Sequence, residues 1–315
     1  MLNRRHLRIK ILQALYAFEQ SQDAQIAKGE KDLFHSIQKM YEMYIFLMLI
    51  MTEFRSIAEQ RIEEGLKKRL PSAADLNPNR RFAENRLLLM LDDNITIKAL
   101  SERHKVNWVG EGELLRRIYR DMIETEEYLA FMNLPETDWA SDKEVVIRLF
   151  KRHIINHESL QYFFEEHSIF WVDDLDIVAS MAIKTFKTFQ EDSSAAHALL
   201  PLWKADEDEQ EFVKVLFRKS IVQSEEHLGL IKKHADNWEI DRIALMDTLL
   251  MRMALTEARE FRQIPVKVSL NEYIELAKYY STPKSSVFIN GLLDKIFEEM
   301  TAEGTIKKVG RGLIT

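Results

Sequence analysis

The stretch from Ile243 to Lys295 reads IALMDTLLMRMALTEAREFRQIPVKVSLNEYIELAKYYSTPKSSVFINGLLDK. Its apolar residues recur at helical spacing in three blocks, which predict helices over 239–261, 268–280 and 285–300. Pro265 separates the first two blocks, and Ser281-Thr282-Pro283 separates the last two. Thr282 can cap the last helix with Pro283 as its first residue, a pairing that leaves free N–H groups for an anion. Asn290-Gly291 falls inside that helix, where glycine costs about 1 kcal/mol. Close packing of another helix is the expected reason.

Outward from this stretch the same period continues. Helices are predicted near 4–21, 31–69, 81–92, 95–105, 112–132, 142–168, 174–190 and 207–234, and nothing alternates with period two. The clearest break is Leu70–Asn79, LPSAADLNPN. Nine glycines and six prolines in 315 residues also favour helix. The chain is therefore expected to be all-α.

Three motifs within the quoted stretch resemble the NusB family of RNA-binding transcription antitermination factors. MDTLLMRMALTE carries Asp247, Arg252 and Glu257, and IPVKVSLNEYIELAK carries Pro265, Asn271, Glu272 and Lys278. SSVFINGLLDK carries Phe288, Asn290, Gly291 and Asp294. At the other end, NRRHLRIKILQALYAFEQS (Asn3 to Ser21) resembles the family's arginine-rich first helix. The resemblance covers a little over a third of the chain. It implies a NusB-like helical bundle with a large helical insertion after the first helix. The domains would be the first helix, 1–21, an insertion over 22–205, the rest of the bundle over 206–302, and a basic tail over 303–315. Shifting the chain by 67 residues aligns 142–189 with 209–256 at nine of 48 identities, among them Trp171/Trp238 and Asp174/Asp241. This points to an internal repeat or to two helix pairs sharing one period.

Charge is distributed unevenly. The net charge is −7, yet the first ten residues hold Arg4, Arg5, Arg8 and Lys10, and no acid precedes Glu19. A local basic site on an acidic body is enough for RNA, because phosphate attraction is short-ranged at physiological salt. The last ten residues hold Lys307, Lys308 and Arg311, read here as a solvated tail. On the first helix, Leu7, Ile11, Ala14, Leu15 and Phe18 form a core stripe, while Arg5, Ile9, Leu12 and Tyr16 share a neighbouring face. Arginine forks bind phosphate, and an aromatic ring stacks a splayed base. Tyr16 serves either as that ring or as core. The second candidate RNA element is Lys284, Ser285 and Ser286, with Phe288 either at its mouth or buried. The family resemblance implies that this loop lines the RNA surface beside the first helix. Lys284 departs from the acidic residue common there in the family.

The resemblance further implies partners. These are boxA-type single-stranded RNA, NusE (also a small-subunit ribosomal protein) and the RNA polymerase elongation complex, with termination suppressed chiefly on ribosomal RNA operons. Asp247 would contact NusE or be an ordinary solvated acid. A homodimer hiding the basic helix is a further possibility, and a helical protein-interaction scaffold without RNA binding is the alternative function.

An enzyme is not expected, and no cofactor or metal is implied. There is no phosphate-binding GxxxxGK[ST] and no dinucleotide glycine fingerprint. His153 and His157 lack a third ligand, and there are no cysteines. NusB-like domains also precede rRNA cytosine methyltransferases, whose catalytic domains carry cysteines, so that version is not expected. The longest apolar run, Met43–Met51, is too short for the roughly 20 residues that span a bilayer. With no signal peptide visible, a reducing cytoplasm is the expected compartment.

Overall fold

A computed structural model describes residues 2–235 and 243–313. Fifteen α-helices and no strands occur among these residues. In order they are α1 (Arg4–Gln20), α2 (Ile26–Leu66), α3 (Ala73–Leu76), α4 (Arg86–Asp93) and α5 (Ile95–His104). Then follow α6 (Gly112–Ile123), α7 (Glu126–Met132), α8 (Trp139–Leu149), α9 (Glu158–His167) and α10 (Leu175–Thr188). The last five are α11 (Asp206–Val222), α12 (Ser224–His234), α13 (Leu245–Glu260), α14 (Val266–Tyr280) and α15 (Ser285–Ala302). No helix among the described residues is long and apolar enough to cross a membrane.

The chain forms two compact units, one of residues 1–37 with 203–315, the other of residues 38–202. In the first unit α13 is the central rod. Every residue from Leu249 to Ala258 is buried, as expected of a helix enclosed on all sides. Helices α1, α11, α12, α14 and α15 pack around it. Leu7, Ile11 and Leu15 of α1 are fully buried, so the predicted core stripe faces inward. Leu12, predicted on the open side, is also fully buried. Lateral packing thus covers the middle of that face and leaves it open only toward its ends.

In the second unit the later turns of α2 supply Tyr44, Leu47, Met51 and Phe54 to the core. Phe46 meets Trp108, Phe163, Phe164 and Trp171 edge-on. The Trp171 indole N–H donates to the Lys39 carbonyl at 2.7 Å, satisfying a buried donor.

Several predicted helices divide where a side chain offers a cap. The 112–132 segment breaks at Thr125, which accepts from Tyr128 N and opens α7. The 142–168 segment passes through a π-turn at Phe150–Ile154 and restarts behind His157, whose ring accepts from Ser159 N. His153 and His157 therefore do not share one helix face. His153 meets Glu127 at 2.8 Å, and His157 meets Asp121 at 3.0 Å. The 67-residue shift carries the starts of α8 and α9 onto Asp206 in α11 and Glu225 in α12. Trp238 and Asp241 of that comparison, and the predicted helix start at 239–242, lie outside the described residues.

Candidate nucleic-acid interface

Helix α1 begins with a reciprocal cap. The Asn3 side chain accepts from His6 N, and the Asn3 N–H meets the His6 ring. Arg4 and Arg5 occupy the first turn, and no acid accompanies them. Cations there oppose the positive end of the helix dipole, so an anion at this position would be favoured twice over.

The four basic residues predicted on α1 have different environments. Arg4 is exposed, with its guanidinium 5.2 Å from the centre of the Phe212 ring. Arg5 keeps 47% of its side chain exposed and forks onto Glu272 at 2.7 and 2.9 Å. That hydrogen bond, opposed by burial, holds the Glu272 carboxyl below its ordinary value. Arg8 is 3% exposed. Its Nε and Nη2 each donate to Glu257 at 2.7 Å, and Nη1 reaches Glu272 at 3.3 Å. Glu257 also accepts from Ser269 at 2.8 Å and from the Tyr273 hydroxyl at 3.0 Å. Burial disfavours the Arg8 charge, but the charge and hydrogen bonds of Glu257 outweigh it and raise the guanidinium pKa. Lys10 is buried as well. A phosphate could reach Arg8 only by displacing a buried carboxylate, so Arg8 acts in packing by its geometry.

Tyr16 remains 42% exposed. It stands three turns along α1 from Arg5, on the same side. An arginine fork and an aromatic face are thereby brought to one helix surface, separated by the buried Leu12.

The second predicted element clusters around Asp247. The Ser281 hydroxyl donates to one carboxylate oxygen of Asp247, and the Ser285 hydroxyl donates to the other at 2.7 Å. Thr282 Oγ1 lies 2.8 Å from Ser285 Oγ, and Ser285 N donates to the Thr282 carbonyl at 2.9 Å. This turn delays α15, so the cap falls at Lys284 rather than Thr282, without a side-chain bond. Ser285 and Asp247 are buried and face one another. Lys284 is exposed, whereas Ser286 and Phe288 are half-buried. Gly291 is exposed with nothing within 4 Å of a would-be Cβ, so no close-packed helix explains it.

Two residues of this region carry no signal in the helical pattern. Tyr279 is 81% exposed beside the turn, and Val287 is also exposed. An apolar residue on a polar helix face is the only sequence sign, and it is weak. The Asp247 cluster and the Glu257 network lie ten residues apart on α13, or about 15 Å along its axis. The predicted RNA residues thus form two groups, both anchored on the central helix.

The architecture defines a class: helical bundles in which an arginine-rich first helix is fastened to a largely buried central helix and its neighbour by carboxylates, here Glu257 and Glu272. Comparison with known proteins narrows it. The NusB family profile matches residues 175–298, a stretch that includes α10 through α14 and excludes α1. The transcription antitermination protein NusB of Salinibacter ruber is 46% identical over 129 residues, covering 40% of this chain and 81% of that protein. The NusB protein of Koribacter versatilis is 38% identical over 114 residues, covering 35% and 78%. That of Chloroherpeton thalassium is 48% identical over 96 residues, covering 30% and 46%. No solved structure matches the chain significantly. The chain belongs to the NusB family.

Proposed function

We propose that this chain is an RNA-binding transcription antitermination factor. It holds boxA-type single-stranded RNA together with NusE and ties the transcript to elongating RNA polymerase, chiefly on ribosomal RNA operons in the cytoplasm. The names of the related proteins support the general role. The observation that carries the RNA reading is the start of α1, where Arg4 and Arg5 reach solvent against the helix dipole, with Tyr16 open further along. Phosphate supplies the charge this turn lacks, and Tyr16 supplies a stacking face. Lys284, Ser286 and Phe288, beside the Asp247 cluster, form the second part of this RNA surface. The work is scaffolding, with no bond made or broken.

We take 1–21 and 206–302 as the NusB-like bundle and 22–205 as the insertion. The compact unit of residues 1–37 with 203–315 supports this division and adds the first turns of α2 to the bundle, whereas the family profile begins earlier, at residue 175 within the insertion.

The test is transcription in vitro across a terminator placed downstream of a boxA element, with purified polymerase and NusE. Readthrough that rises on adding this chain, and only with an intact boxA, is the expected result. Readthrough unchanged by the chain would refute the role.

A further inference from the structure

The segment after α15 is not a free tail. Thr305 N and Ile306 N donate to the Met300 carbonyl at 2.9 and 3.1 Å, and Ile306 is buried. The chain then crosses the turn between α13 and α14. Val309 N donates to the Arg262 carbonyl at 3.0 Å, and the Lys308 ammonium donates to the Phe261 carbonyl at 3.1 Å. Gly312 lies so close to the Arg262 carbonyl that a Cβ would collide with it. Residues 305–313 therefore form a strap fixed across one end of the bundle.

That end is also where α1 starts. The Phe261 ring packs on Phe212 with centroids 4.8 Å apart, and the Arg4 guanidinium lies 5.2 Å from the centre of the same Phe212 ring. Lys308 is half-buried and within the field of Glu257, the carboxylate that holds Arg8. Lys307 is exposed. From residue 304 onward the sequence holds Lys307, Lys308 and Arg311 and no acid. On α11, the buried Glu209 carboxylate accepts from Lys204 N at 2.6 Å and Ala205 N at 3.3 Å. Two basic segments from opposite ends of the described chain thus flank one aromatic pair.

We propose that the strap is a second phosphate-binding element, which continues the surface of Arg4 and Arg5 and guides an RNA strand past the start of α1. This rests on the RNA-binding reading above. A fixed strap holds its charges in place before binding, so little ordering opposes the contact. Lys307 is the residue placed to meet phosphate, whereas Lys308 mainly pins the strap.

The experiment titrates a labelled boxA-like single-stranded RNA with the full chain by fluorescence anisotropy at several salt concentrations. The variants are Lys307→Glu, Lys307→Arg and, as a control on the other segment, Arg4→Glu. Lys307→Glu is expected to weaken binding about fivefold or more at physiological salt and to flatten the salt slope by about 0.7 for the phosphate it no longer neutralises. Lys307→Arg should bind as the unmodified chain does, and all three should melt alike. If Lys307→Glu binds normally while Arg4→Glu does not, the strap is only a plug and the proposal falls with the RNA reading intact. If the unmodified chain binds no RNA, both fall together.

Discussion

Arg8 and Glu257 meet as a two-pronged ion pair in the interior, Nε to Oε2 and Nη2 to Oε1, each at 2.7 Å. One residue belongs to the first helix, the other to the central helix 249 positions later. The pair fixes how α1 lies on α13, and so fixes which arginines are left for solvent.

Removing one partner should therefore damage the fold rather than only the surface. Arg8→Met leaves Glu257 buried without its counter-charge, and a cost of about 3–5 kcal/mol is expected. Urea unfolding of Arg8→Met and of Arg5→Met provides the contrast. Arg5 pairs with Glu272 at the surface, and its loss should cost about 0–1 kcal/mol.

His227 gives a pH dependence. It is 0% exposed, and neither ring nitrogen has a hydrogen-bond partner. Burial, reinforced by Arg252 and Arg259, lowers its pKa to about 4. The unfolded chain, titrating near 6.5, binds the proton first, so stability is complete above pH 6.5 and is lost as pH falls toward 4. The loss from this group is about 3 kcal/mol. Urea midpoints at pH 7 and pH 4.5 should move closer together in His227→Leu than in the unmodified chain.

Asp247 is expected to act first on its own fold. Its two serine donors make charge-assisted hydrogen bonds inside the turn before α15. Asp247→Ala should lower stability by about 2–3 kcal/mol, because both hydroxyls lose a buried acceptor. Calorimetric melting checks this, and titration with NusE under conditions where the variant is folded separates any partner contact. Full stability with weakened NusE binding would mean that the carboxylate serves the partner instead.

Tyr16 distinguishes stacking from hydroxyl chemistry. Tyr16→Phe keeps the ring and should bind RNA almost normally. Tyr16→Ala should cost about 1–3 kcal/mol of RNA affinity. Anisotropy titrations of the two variants side by side provide the measurement.

The helical character is legible in the sequence because the 3.6 period persists from Arg4 to Ala302, and the stripe Leu7–Ile11–Leu15 does face the core. Boundaries are less so. Thr125 and His157 start new helices by accepting one backbone hydrogen bond each, and periodicity does not register a cap. Asn85, which caps α4, escapes the pattern for the same reason, whereas the break at Asn94 before α5 is legible. At the candidate site, charge composition puts Arg5 and Arg8 together, yet one pairs with Glu272 at the surface, half open to solvent, and the other with a buried carboxylate. The distinction depends on Glu257 and Glu272, more than 240 residues away in sequence. The family motifs do contain both acids, but as landmarks rather than as the partners of α1. The strap reads as a solvated tail because its anchors are backbone carbonyls, which leave no trace in side-chain pattern.

The central claim is that exposed arginines at the start of α1 hold RNA. The direct measurement is anisotropy of a labelled boxA-like RNA with the Arg4→Glu/Arg5→Glu variant, with and without NusE, from about 50 to 200 mM salt. Loss of the salt-sensitive binding seen for the unmodified chain, with circular dichroism unchanged and melting lowered only as far as the lost Arg5–Glu272 pair requires, is the predicted result. Unaltered affinity and salt slope in the doubly reversed variant would contradict it.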